Sequence, residues 1–163
     1  MKEHQIIFDK IAKLFKDFFK EKAIMSIGDY EDGYTENHLT IEDTEVWISC
    51  DEYELIFGTG FHHRHYDSKF DDLIDCLNDF QRMLTNRIRR TEYYKGNHCY
   101  KTKLEIELDN CNFTKFSTSS TLGFSFWKKT TEKVTIENPI IQSLEFEKAF
   151  TEIKNYAYQK TMK

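Results

Sequence analysis

Three of the chain's six histidines fall within seven residues, Phe61-His62-His63-Arg64-His65-Tyr66-Asp67. Imidazole titrates nearest to neutral pH of all side chains, which suits it to acid–base catalysis, and its neutral form is a common metal ligand. Alternate residues of an extended strand share a face, so His63 and His65 are expected side by side, a spacing that suits chelation of one metal ion. Arg64 and Tyr66 would add contacts for a phosphate or a carboxylate. The His62–His65 cluster is therefore the candidate site for a small hydrolase or nuclease. The alternative is a polar strand end whose rings hydrogen-bond locally.

The spelling His63-x-His65-x-Asp67 before a helix resembles the metal-binding motif of metallo-β-lactamase-like hydrolases. The resemblance covers five residues. That family implies a further His where this chain has Ser68, and later His and Asp ligands, while His98 is the one histidine that follows. The ligands fall short of a three-residue catalytic set. The expected metal assignment is none, with His63, His65 and Asp67 as the residues to examine, and no cofactor is implied.

Other chemistry is excluded by spacing. Gly58-Thr59-Gly60 lacks the third glycine of a dinucleotide loop, and neither a Walker A sequence nor a G-x-S-x-G elbow occurs. A calcium loop centred on Gly33 would need a carboxylate where Gly28 stands. Cys50, Cys76, Cys99 and Cys111 form no C-x-x-C pair and read as reduced thiols.

Periodicity supplies the scaffold. Ile7, Ile11, Leu14, Phe15 and Phe18 form one helical stripe over about Lys2–Lys22. Residues 23–30 favour a strand, and a loop follows at Glu31-Asp32-Gly33. From His38 to His65 apolar and polar residues alternate: Val46, Ile48 and Cys50 against Trp47 and Ser49, then Leu55 and Phe57 against Glu54 and Ile56. Asp51-Glu52 is the expected hairpin turn, and Gly58 and Gly60 mark a bend before Phe61 resumes extended structure. Ser68 is the expected cap of a second helix that carries Phe70, Leu73, Ile74, Leu77, Leu84 and Ile88, with Asp71, Asp72, Asp75 and Asp79 early. Its late charges, Arg82, Arg87, Arg89 and Arg90, are expected to face the helix's negative C-terminal dipole. Period two returns with Leu104, Ile106 and Leu108 inward and Glu105 and Glu107 outward. Asn110-Cys111-Asn112 reads as a turn, Ser117–Thr121 as a loop, and Leu122, Phe124 and Phe126 as a strand face. Val134 and Ile136 form a short strand, and Asn138-Pro139 starts a last helix. The expectation is a single α+β domain over residues 1–163: an antiparallel sheet of about five to six strands with three helices, in the order α-β(3)-α-β(2-3)-α.

The 163 residues, with 14 Phe, 9 Tyr and 2 Trp, can bury a core without disulfides. No basic segment leads into an apolar run at the start, and no stretch approaches 18 apolar residues, so the expected setting is cytoplasmic with no membrane contact. The formal charge of −5 hides an asymmetry: residues 1–60 carry 6 basic and 14 acidic side chains, and none is Lys or Arg between Lys22 and Arg64. Asp29, Glu31, Asp32, Glu45, Asp51, Glu52 and Glu54, interleaved with Tyr34, Trp47 and Tyr53, are the candidate partner-binding residues. Such a surface attracts a basic protein and anchors it on rings, and it repels nucleic-acid phosphates.

Element order, size and acidity look like those of bacterial immunity proteins, which neutralise toxins. They also look like those of the small acidic chaperones of secreted effectors, which pair as homodimers. Because the acids are concentrated in one region, the expectation is an immunity-type, non-enzymatic binder of a basic toxin or effector.

Overall fold

The structure is a computed structural model that describes residues 2–29, 35–67, 72–109, 111–122 and 127–161. Its described elements are α1 (Glu3–Phe19), β1 (Ala23–Asp29), β2 (Thr35–Ile41), β3 (Val46–Cys50), β4 (Glu54–Thr59), β5 (His62–Asp67), α2 (Leu73–Thr85), β6 (Ile88–Lys95), β7 (His98–Asp109), β8 (Asn112–Ser120), β9 (Thr130–Glu137) and α3 (Leu144–Thr161). The class is α+β, with two wholly antiparallel sheets of five and four strands. The expected alternation of three helices with two runs of strands holds, but the runs have five and four strands where three and two to three were expected, and they form two sheets where one of about five to six strands was expected. The chain divides into two compact units, one of Met1–Gln81 with Ile141–Lys163 and one of Arg82–Ile140.

The first unit is a meander, β1-β2-β3-β4-β5, each strand paired with its sequence neighbour. One face follows the alternating apolar residues: Leu39 and Ile41, Val46, Ile48 and Cys50, and Leu55 and Phe57 are all buried. Helix α1 lays Ile7, Phe8, Ile11 and Phe15 into the same core, since steps of three and four residues return to one helical face. Phe80 of α2 lies 4.9 Å from Phe57 and 5.8 Å from Phe15, measured between ring centroids. Phe146 and Phe150 of α3 complete the cluster, 6.2 Å from Phe15 and Phe80 respectively. Ring pairs at such separations add about 0.5–1.5 kcal/mol beyond area burial.

Several local expectations need correction. Phe61 does not resume a strand; it sits in the β4–β5 turn and is 92% exposed. Ser68, Phe70 and Asp71 lie outside the described residues, and the Asp72 carboxylate accepts the Ile74 N–H at 2.7 Å as α2 begins. Helix α3 starts at Leu144, beyond Asn138-Pro139, where Ser143 Oγ accepts the Phe146 N–H at 3.4 Å.

The second unit is a sheet of order β8-β7-β6-β9. Here Arg87, Arg89 and Arg90 are not helix-end charges, because α2 stops at Thr85 and the chain enters β6 at Ile88. Each arginine meets a glutamate of a neighbouring strand instead. Arg87 binds Glu107, Arg89 binds Glu105, and Arg90 binds Glu137. Glu105 was expected outward, yet it is buried, held between Arg89 at 2.9 Å and Lys103 at 2.7 Å. Two cations make that burial tolerable for a carboxylate, and the Arg89 contact holds its carboxyl below the ordinary value of 4.5. Leu108 is partly exposed, and Leu122 is 94% exposed outside any strand; Phe124 and Phe126 lie outside the described residues. The hydroxyl-rich run Ser117–Ser120 is the end of β8, not a loop.

Candidate functional site

The five-stranded sheet presents its second face away from the apolar core, and strand alternation decides what stands there. The pairs Ser26–His38, His38–Ser49, Ser49–Ile56 and Ile56–His65 form one continuous row across all five strands. The next row runs Ile24–Thr40–Trp47–Gly58–His63 through the same ladder. Aromatic contacts tie the two rows together. His38 stacks on Trp47 with centroids 5.5 Å apart and planes inclined by 28°, Trp47 lies 5.9 Å from His63, and His63 lies 4.9 Å from His65. The indole is pinned by its Nε1–H, which donates to the Gly60 carbonyl at 3.0 Å. Gly60 turns the chain there with φ of +55°, a conformation that glycine adopts freely.

The histidine segment of β5 is thereby split between two faces. His63, His65 and Asp67 stand outward, opposite Gly58, Ile56 and Glu54. His62, Arg64 and Tyr66 point the other way, where Arg64 pairs with Asp79 of α2 and the Tyr66 hydroxyl donates to the same carboxylate at 3.2 Å. Burial, with Asp79 nearby, drives the Tyr66 phenol well above its ordinary value. On the outer face the His65 Nδ1 meets the Glu54 carboxylate at 2.9 Å, and the His63 Nδ1 meets the Phe61 carbonyl at 3.2 Å. Among the described residues, no three His, Cys, Asp or Glu side chains are placed to hold a metal ion.

The acidic residues divide between the two ends of the meander, because successive hairpins turn at alternate ends. Glu42, Asp43 and Glu45 lie at the β2–β3 end, where Asp43 pairs with Lys22 at 2.7 Å and raises the ammonium's pKa. The other end gathers Asp29, Glu36, Asp51, Glu52, Glu54 and Asp67, at the termini of β1 to β5 and in the β3–β4 turn. Glu31, Asp32 and Tyr34 lie outside the described residues. The field at this end registers on Cys50, whose thiol is pushed up to about 12 by burial first and then by the charges of Asp51, Asp9 and Glu36. Tyr53 is 58% exposed in the turn, with the Lys2 ammonium 5.2 Å from its ring. Glu52 is exposed, 3.7 Å from the same ammonium. Asp51 differs from its neighbours. It is buried, and its carboxylate accepts the backbone N–H groups of Tyr53 at 2.5 Å and Glu54 at 2.7 Å.

Sequence reasoning passed over three residues of this face. Glu36 and His38 were not among the candidate site residues, although their two-residue step puts both on one strand face. Ser49 stands between two core residues, Ile48 and Cys50, and is itself fully buried. Its Oγ has no hydrogen-bond partner among the described residues. A buried hydroxyl left unpaired costs about 1–3 kcal/mol, and it leaves Ser49 able to take a further hydrogen bond.

Fold and site together define an α+β protein that displays a ring-bearing sheet face with an acidic end. No protein-family model matches the chain, and no curated protein or solved structure matches it either. No helix among the described residues is long and apolar enough to cross a membrane.

Proposed function

We propose that this is a non-enzymatic binding protein that recognises a basic protein partner, in the manner of a bacterial immunity protein neutralising a toxin. The supporting observation is the gathering of Asp29, Glu36, Asp51, Glu52, Glu54 and Asp67 at one end of a sheet whose outer face also carries Trp47, with exposed Tyr53 in the adjoining turn. Carboxylates of one sign steer a cationic partner into encounter, and large rings supply the contact area that holds it. Phosphate backbones are repelled by the same field.

The test is calorimetric titration with a candidate basic toxin, at 50 and 300 mM salt. The expected result is one-to-one binding that weakens with salt and falls at least about tenfold when Glu36 and Glu52 are both changed to Gln, equivalent to roughly 1.4 kcal/mol. Affinity indifferent to both salt and charge overturns the reading. A homodimer in light scattering, with binding to a secreted effector, would move the assignment to the chaperone type.

One observation favours a second reading. The His65–Glu54 contact, at 2.9 Å, is an imidazole–carboxylate pair of the kind that serves general-base chemistry. A phosphodiesterase and hydrolase panel in which activity disappears in His65→Ala and persists in Glu52→Gln would establish it.

A further inference from the structure

A cavity of about 380 Å³ opens on the outer face of the five-stranded sheet, walled by Ser26, Glu36, His38, Trp47, Ser49 and Ile56. That volume lies within the range of small-ligand sites, so it suits a side chain and not a length of polymer. Three features of its lining converge on one chemistry. The His38 and Trp47 rings, stacked on one another, present an aromatic side to it. Among the described residues of the lining, Glu36 is the acidic group and none is a lysine or an arginine. At the floor, Ser49 turns its buried hydroxyl, without a hydrogen-bond partner among the described residues, to this side of β3, since Ile48 and Cys50 on either side of it face the core.

A ring face, an anion and a hydroxyl acceptor are together what a guanidinium needs. It is planar and weakly hydrated, it stacks on aromatic faces, and it presents several N–H donors in a fixed fork. An ammonium can approach the same groups, but as a compact, strongly hydrated point charge it neither stacks flat on a ring nor spreads its donors in a planar fork. We infer that this cavity seats an arginine side chain of the basic partner, its guanidinium lying against the His38–Trp47 rings and donating to Glu36 and to Ser49 Oγ. The inference rests on the proposed recognition of a basic partner, and it names the side chain that the outer face reads.

The experiment is a titration of the full chain, followed by ¹H–¹⁵N correlation spectra, with the capped peptide Gly-Arg-Gly. Matched peptides carrying lysine or citrulline, and inorganic phosphate, serve as comparison probes. The arginine peptide shifts the Trp47 indole N–H and the Ser49 amide with saturation on the order of millimolar, and it leaves the Trp127 indole unmoved. Lysine binds more weakly, and citrulline, the same size without the charge, does not bind. Ser49→Ala melts no lower than the parent, because it loses an unpaired hydroxyl, yet it binds the arginine peptide several-fold more weakly. Glu36→Gln weakens binding at least as much. Equal shifts from citrulline, shifts from phosphate in place of arginine, or no shift at all would each overturn the inference. If the peptide fails while the toxin still binds in a manner sensitive to salt and to Glu52→Gln, the arginine seat is lost and the proposed recognition stands. If the peptide shifts Trp47 while the toxin does not bind, the seat stands and the proposed recognition is lost.

Discussion

Gly58 lies against the Trp47 indole: a Cβ placed on Gly58 would come within 3.0 Å of the Trp47 Cζ2 atom. The same Cβ would stand 2.4 Å from the His62 carbonyl oxygen and 2.9 Å from the His63 Cβ, closer than carbon tolerates. The missing side chain is thus what lets the indole reach across β4 towards His63. Gly58→Ala forces backbone and ring apart. The expected cost is about 1–3 kcal/mol, as for overpacked sites in general. Urea melts measure it, and a red shift of tryptophan emission reports the displaced ring. An unchanged midpoint would mean that the ring does not need this contact.

In the second unit, the Arg87 guanidinium holds Glu107 through Nε at 2.6 Å and Nη2 at 2.5 Å, and the Cys111 N–H donates to the same carboxylate at 2.8 Å. These contacts, Arg87 foremost, lower the Glu107 carboxyl from the ordinary 4.5 to about 2. A carboxyl whose folded pKa is depressed contributes stability above its unfolded value and loses that contribution as pH falls towards the folded one. The melting temperature of the parent should therefore drop more steeply between about pH 4.5 and pH 2 than that of Glu107→Gln. Parallel slopes for the two proteins would refute this role for the pair.

How much of this was legible beforehand depends on the kind of signal. The meander followed from period two: Ile48, Cys50, Leu55 and Phe57 alternate with polar neighbours, and all four are buried. The helix stripes were equally clear, since Ile7, Ile11 and Phe15 can share a face only at helical spacing. The second sheet was harder. β8 is rich in Ser and Thr, and β9 exposes Val134 and Ile136, so neither carries the alternation that a half-buried strand shows. Arg87, Arg89 and Arg90 suited a helix end electrostatically, but their partners Glu107, Glu105 and Glu137 are 16 to 47 residues away, a separation that no local pattern encodes. The candidate site divided in the same way. The ring and histidine content of the outer face was visible, whereas the cavity depends on cross-strand register. A shift of one residue would have turned Ser49 into the core.

The four cysteines should separate by reactivity. Burial lifts the Cys50 thiol to about 12, and Cys76 is buried as well, while Cys99 is half-buried and Cys111 exposed. The thiolate is the reactive form. Iodoacetamide at pH 8 should label Cys111 first and Cys99 next, and it should reach Cys50 and Cys76 only after denaturant is added. Peptide mapping by mass spectrometry reads the order. Early labelling of Cys50 would show that the sheet opens well below its unfolding midpoint.

Asp51 and Glu52 are adjacent acids of the β3–β4 turn, and they have opposite roles. The Asp51 carboxylate closes the turn through two backbone N–H groups, and its carbonyl accepts from His4 at 3.2 Å and Gln5 at 3.3 Å of α1. Removing that carboxylate leaves two part-buried donors without it, so Asp51→Ala should cost about 1–3 kcal/mol. Asp51→Asn, which keeps one carbonyl oxygen as acceptor, should cost less. Glu52 is exposed, with a single ion-pair contact to Lys2, and Glu52→Gln should change stability by no more than about 0.5 kcal/mol. If the acidic end is the recognition surface, the ranking reverses in binding. Glu52→Gln then weakens the toxin complex while the protein melts as before, and Asp51→Asn retains affinity as long as it folds. Denaturant melts and calorimetry on the three variants resolve the two roles. A Glu52→Gln protein with undiminished affinity would remove that carboxylate from the interface.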